Sequence, residues 1–109
     1  MLEALFGSIT KEKVLLYILC RAEGYPREIA KFFGIPLNTV AKQLKKLETD
    51  NVLYAQLQGK TKIYRFNPRY PFLPELKDLL EKALTFYPQD LQKQLLYNRR
   101  RPRRSDKPL

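Results

Sequence analysis

Asn38, Thr39, Lys42, Gln43 and Lys46 follow one another closely and mix neutral hydrogen-bonding side chains with cations. That combination suits the floor of a DNA major groove. Asn and Gln amides make paired bonds to adenine edges, Thr bonds to bases or touches the thymine methyl, and Lys meets guanine edges or phosphates. At a 3.6-residue period these five fall away from a second stripe, Leu37, Val40, Ala41, Leu44 and Leu47, which is expected to pack on a core. The plainer alternative is an amphipathic helix whose polar face is merely solvated.

The distribution of charge separates these readings. The chain carries 21 Lys and Arg against 11 Asp and Glu, a net charge of +10. Residues 1–35 contribute +1 and residues 70–98 contribute −1, whereas 36–69 and 99–109 contribute +5 each. The first basic block coincides with the candidate base-reading stretch and with Lys60 and Lys62 just beyond it, where a duplex would bring its phosphates. Solubility alone would not demand that coincidence. The second block holds Arg99, Arg100, Arg101, Arg103 and Arg104 among prolines, without apolar periodicity. It is expected to be a disordered tail that meets phosphate along the backbone or minor groove. Solubility alone, or binding to RNA or to an acidic protein partner, is the competing reading of that tail.

The elements that must position these residues are marked by breakers and caps. Ser8 or Thr10 caps a first long helix running to about Ala22, with Leu5 and Phe6 in a preceding helical turn, and Gly24 ends it. Pro26 opens a short helix with Ile29, Ala30 and Phe33 facing inward, and Gly34 supplies a left-handed turn. The next helix covers 36–50. Val52 to Gln58 and Thr61 to Phe66 are rich in β-formers and separated only by Gly59-Lys60, so they predict an antiparallel hairpin. That succession is a helix-turn-helix with a wing. Asn67-Pro68-Arg69-Tyr70-Pro71 must be extended or turning, because residues before proline avoid helical space. Helices follow from Pro74 to about Phe86 and from Pro88 to about Tyr97.

The fold class is therefore α+β: a winged helix-turn-helix, mostly helical, with a two-stranded wing at 52–66 and C-terminal helices. Three regions are expected: a DNA-binding unit at 1–72, helices at 73–98 that pair two copies, and the basic tail at 99–109. The apolar stripes Leu76, Leu79, Leu80, Ala83, Leu84 and Leu91, Leu95, Leu96 exceed what a small body needs, which argues for a homodimer. Simple capping of the chain's own core is the alternative.

The segments "YPREIAKFFGIPLNTVAKQLKKLETDNVL" and "GKTKIYRFNPRYP", covering roughly Tyr25 to Pro71, resemble small prokaryotic winged helix-turn-helix regulators, broadly the arsenic-repressor-like group. The continuation "YRFNPRYPFLPELKDLLEKAL" is similar to a narrower set of small winged-helix proteins, some related to domains beside nucleotidyltransferase modules. The resemblance implies a dimeric repressor or activator, with Asn38, Thr39, Lys42 and Gln43 at base-reading positions and Lys60 and Lys62 on the DNA backbone. It does not carry a metal site across. With no histidine and one cysteine, the chain cannot assemble the ligands a soft metal needs.

Other classes are argued down in the same way. No Ser-His or Cys-His pair and no glycine-rich phosphate cradle is present, and Glu75, Asp78 and Glu81 fall at helical spacing among lysines, so no catalytic residue and no cofactor is expected. Cys20 lies in an apolar run and is expected to be a buried thiol. No apolar run could span a bilayer and no signal peptide is evident, which places the chain in the cytoplasm, away from membranes. Two alternative functions stay open: an antitoxin-like or adaptor module, and an RNA-binding winged helix in which Tyr54, Tyr64 and Tyr70 stack on unpaired bases. Their wing and strap positions favour the plainer alternative that these tyrosines are core and strand-pairing residues.

Overall fold

Caps and breakers set the order of elements in the computed structural model, which describes residues 1–96. A short α1 (Glu3–Phe6) precedes α2 (Ile9–Arg21), whose N-cap Ser8 accepts a hydrogen bond from the Lys11 amide at 3.2 Å. Next come α3 (Pro26–Phe33), α4 (Leu37–Thr49), the strands β1 (Leu53–Gln58) and β2 (Thr61–Phe66), α5 (Leu73–Leu84) and α6 (89–96). The winged helix-turn-helix expected from the sequence is the observed architecture. The tail at 99–109 lies outside the described residues.

Helix α2 is the central element, with Val14, Leu15, Leu16, Tyr17, Ile18 and Cys20 all buried. Helix α4 packs across it and against α3, and α5 packs along it. Gly34 stands at φ 68, and the Ile35 amide reaches back to the Ala30 carbonyl at 3.0 Å. This Schellman turn redirects the chain into α4. Asn51, at φ 64, repeats the device at the far end of α4, where the Val52 amide bonds to the Leu47 carbonyl at 2.9 Å. Asn is one of the few residues other than glycine that occupies this conformation readily.

Two expectations need correction here. Gly24 does not end the first helix: Ala22, at φ 72, does so, its amide bonding to the Ile18 carbonyl at 2.8 Å. Gly24 instead exchanges two backbone hydrogen bonds with Tyr64, of 3.0 and 2.9 Å, adding a one-residue third strand beside β2. A Cβ at Gly24 would come within 2.8 Å of Ile29 Cδ1 and 3.2 Å of Tyr17 Cδ1, so close approach accounts for the glycine. Leu37 is the second correction. It is exposed, because the first turn of α4 protrudes beyond the core, and the buried stripe is Val40, Leu44 and Leu47.

The C-terminal helices share the core of the winged part. Leu80 and Leu95 are fully buried in one cluster with Val14, Leu15, Val40 and Leu44, and Leu76, Leu84, Tyr87 and Leu91 pack against it. Burying two leucines of this kind contributes roughly 1.5 to 3 kcal/mol each to seating the two helices. Leu79 stays half-buried and Leu96 is exposed.

Two polar ties reinforce that seating. Glu12, fully buried in α2, accepts hydrogen bonds from the Leu2 amide at 2.7 Å and from the Tyr87 hydroxyl, and its carboxylate lies 3.3 Å from the Met1 amine. Burial alone would raise its pKa. The hydrogen bonds from Tyr87 and Leu2 and the Met1 charge outweigh burial and hold it below the usual value. Arg21 donates to the carbonyls of Leu95 at 3.3 Å and Gln94 at 3.2 Å and to the Tyr17 hydroxyl at 2.7 Å. Its guanidinium lies 4.6 Å from the Tyr17 ring centre and 4.9 Å from that of Phe32. One side chain thus joins α2, α3 and α6.

Candidate nucleic-acid interface

The apolar stripe of α4 is consumed by the core, which turns its opposite face outward. Asn38, Lys42 and Lys46 are exposed on that face, and Thr39 and Gln43 are half-buried along its edge. All five expected residues therefore lie on one helix, but they are not equally presented. The Gln43 Oε1 atom is buried without a hydrogen-bond partner, so its amide is turned partly inward. Lys45 is a cation the sequence reading passed over, and it is exposed in line with Asn38 and Lys42. The signal was available, since positions 38, 42 and 45 follow the i, i+4, i+7 rule of one helical face.

The hairpin supplies the second surface. Its register runs from Leu53 opposite Phe66 to Gln58 opposite Thr61, leaving Gly59 and Lys60 as a two-residue turn. Gly59 takes φ 64, a left-handed value that the tight hairpin turns require. Lys60 is exposed at the tip.

Lys62 is differently placed: its ammonium lies 3.8 Å from the Glu48 carboxylate at the end of α4. Lys60 and Lys62 therefore do not form a matched pair of open cations. Arg65 donates to Glu23 Oε1 at 2.9 and 3.1 Å and also to the Gln56 side chain. The Tyr25 hydroxyl donates to Gln58 Oε1 at 3.1 Å, so the start of α3 holds the outer end of β1. With the Gly24 bridge, these contacts brace the wing against both helices of the turn motif. No single contact of this exposed kind is worth much, but several acting on one short hairpin restrict its orientation.

Arg99, Arg100, Arg101, Arg103 and Arg104 lie outside the described residues. The trio Tyr54, Tyr64 and Tyr70 is not assembled as a stacking surface: Tyr64 is buried, Tyr70 is half-buried, and only Tyr54 is open. Burial, helped by the nearby Glu48 charge, raises the Tyr64 pKa. Glu75, Asp78 and Glu81 are all exposed, as a solvated face requires. Among the described residues no group of three or more His, Cys, Asp or Glu side chains is placed to hold a metal ion, and no helix is long and apolar enough to cross a membrane.

No protein-family model matches the chain, and comparison with curated proteins gives no match. Solved structures do resemble it. A cysteine-to-serine mutant of MarR from E. coli superposes with a TM-score of 0.61 at 20% identity, over 89% of this chain and 69% of that one. The same mutant complexed with operator DNA gives a TM-score of 0.59 at 19% identity, over 89% and 67%. The transcriptional regulator Tm0710 from Thermotoga maritima gives 0.57 at 18% identity, over 91% and 77%. At these identities the likeness establishes the winged-helix fold.

Proposed function

We propose that this chain is a transcriptional regulator that binds double-stranded DNA sequence-specifically as a homodimer, with α4 in the major groove and the 52–66 hairpin on the backbone. The observation that carries the reading is the outward face of α4, where Asn38, Lys42, Lys45 and Lys46 are exposed beside the exposed Lys60 of a braced wing. Neutral readers and phosphate-seeking cations share one surface, and that surface coincides with one of the two basic blocks of the chain. The operator complex of the similar MarR mutant supports the reading by analogy of fold.

Asn38 and Thr39 act as base readers, Gln43 joins them by rotating its amide outward, and Lys42, Lys46, Lys60 and Lys62 meet guanine edges or phosphates. The arginines at 99–104 add affinity without sequence preference. Kinship with the arsenic-repressor-like group belongs to this proposal for its DNA-binding part alone, and the regulator works without a metal, a cofactor or a catalytic step. A cytoplasmic location belongs to it as well. Leu5, Phe86 and Leu96 are large, apolar and exposed, and they supply the surface through which two copies pair. The dimer would address half-sites about one helical turn apart.

The test is a comparison of duplex DNA, single-stranded DNA and RNA across a salt series, using the full chain and a chain ending at Asn98. A duplex preference that survives the shortening supports α4 and the wing as the site. Binding lost with the arginines, or indifferent to strandedness, overturns it in favour of an adaptor or RNA-binding role.

A further inference from the structure

Leu57 is 68% exposed, the highest value among the large hydrophobic side chains of the described residues. It stands on β1 just before the hairpin turn, opposite Lys62. Alternation along the strand puts it on the same face as Leu53, which is 1% exposed, and Ala55, which packs against the core. Since Lys62 shares that face and reaches Glu48 of α4, Leu57 looks to the side on which α4 lies, beyond the end of the core. An apolar side chain exposed to this degree contributes little to the chain's own packing. The braces described above, Tyr25 to Gln58 on β1 and Gly24 to Tyr64 on β2, hold the hairpin that carries it.

We propose that Leu57 is an apolar wedge which the wing inserts into the minor groove next to the major groove occupied by α4. The proposal rests on the DNA-binding reading above and adds a determinant of site choice that makes no hydrogen bond to a base. Lys60, exposed at the hairpin tip three residues from the leucine, draws the hairpin onto the phosphates beside the groove. A side chain of this kind partly unstacks one base step and kinks the duplex toward the major groove. Pyrimidine–purine steps open most readily, so the wing selects a flexible step at the edge of the half-site.

The probe is a set of duplexes of about 30 base pairs, the length over which a bend is readily measured. Their core is a sequence enriched by the full chain from a random library. One flanking step at a time is written as TpA or ApA, with dyes at both ends to report bending by energy transfer. The full chain is expected to favour TpA by about five-fold at one position per half-site and to bend the duplex by roughly 20° or more. Leu57→Ala abolishes both effects and leaves the salt dependence unchanged, whereas Leu57→Met, which keeps an apolar wedge, retains them. Preference and bend that persist in Leu57→Ala, or are missing from the full chain, overturn the wedge. A fall in sedimenting mass on Leu57→Ala with the bend intact also overturns it, assigning the leucine to contact between copies. Failure of the full chain to bind any duplex defeats the DNA-binding reading itself.

Discussion

Asn38 presents an open amide in the first turn of α4, whereas Gln43, one turn further on, has its carbonyl oxygen buried and unpartnered. Asn38→Ala should therefore flatten base preference at one position of the site, by about 1 to 3 kcal/mol, when binding is compared on single-base variants of an enriched duplex. Equal loss on all variants would show a general contact instead. Lys62 gives a prediction of opposite sign. Its partner Glu48 lies beside it at 3.8 Å, so Glu48→Gln releases a cation toward phosphate. Duplex affinity should rise about two- to five-fold, matching the modest strength of a partly exposed pair. The slope of log affinity against log salt should steepen by about 0.9, the value of one further phosphate contact. Unchanged affinity and slope would mean that Lys62 never meets the duplex. The polar face of α4 was readable from period alone, but the inward turn of Gln43 and the pairing of Lys62 with Glu48, fourteen positions away, are tertiary features. No local pattern encodes them.

At the scale of elements, the turn motif and hairpin were legible because each boundary carries its own chemistry: Pro26, Gly34, Asn51 and Gly59 stand where the chain starts, reverses or closes a turn. Gly24 was misassigned because a glycine after a helix usually ends it, whereas this one is selected by the bridge to Tyr64 and the crowding of Ile29 and Tyr17. Gly24→Ala should accordingly destabilise the fold by about 1 to 3 kcal/mol through overpacking. Loosening should concentrate in β2 and α3, seen as faster amide exchange there than in α5. A uniform change, or none, would contradict the role given to the bridge. Leu37 escaped for a related reason, since periodicity identifies a helical face but not how far along the helix the core extends.

For the whole molecule, the decisive surfaces are those left uncovered. Phe86 is 67% exposed and Leu5 likewise, so Phe86→Asp should lower the sedimenting mass of a homodimer while leaving the monomer's helical signal intact. A mass unaffected by the substitution would move the pairing surface elsewhere. Stability should also depend on pH through Glu12 and Tyr87. The folded-state pKa of Glu12 is lowered, so its contribution is complete above the unfolded carboxyl value of about 4.3 and is lost as pH falls through the folded one. Tyr87 is raised, chiefly by burial and then by Glu12, so its contribution is complete below about pH 10 and is lost above the folded value. Glu12→Ala should cost about 1 to 3 kcal/mol in a denaturant melt at neutral pH, because the Tyr87 hydroxyl and Leu2 amide lose their acceptor. It should also weaken the acid limb. An acid limb identical to that of the unaltered chain would show that other carboxylates set it. Nothing in the local sequence marked Glu12 as a core residue, since its partners come from the first residues and from the α5–α6 connection.

The two longest polar ties, Glu12 to Tyr87 and Arg21 to Leu95, join residues 75 and 74 positions apart. A ribosome delivers α2, the reading helix and the hairpin well before the partners of Glu12 and Arg21 exist. Until α6 emerges, α2 lacks the packing of Leu95, and the guanidinium of Arg21 lacks the carbonyls of Gln94 and Leu95. The nascent chain therefore depends on α6 to complete the core around α2, and premature termination between residues 67 and 94 should yield a product that proteases clear quickly, even though every residue of the reading helix and wing is already present.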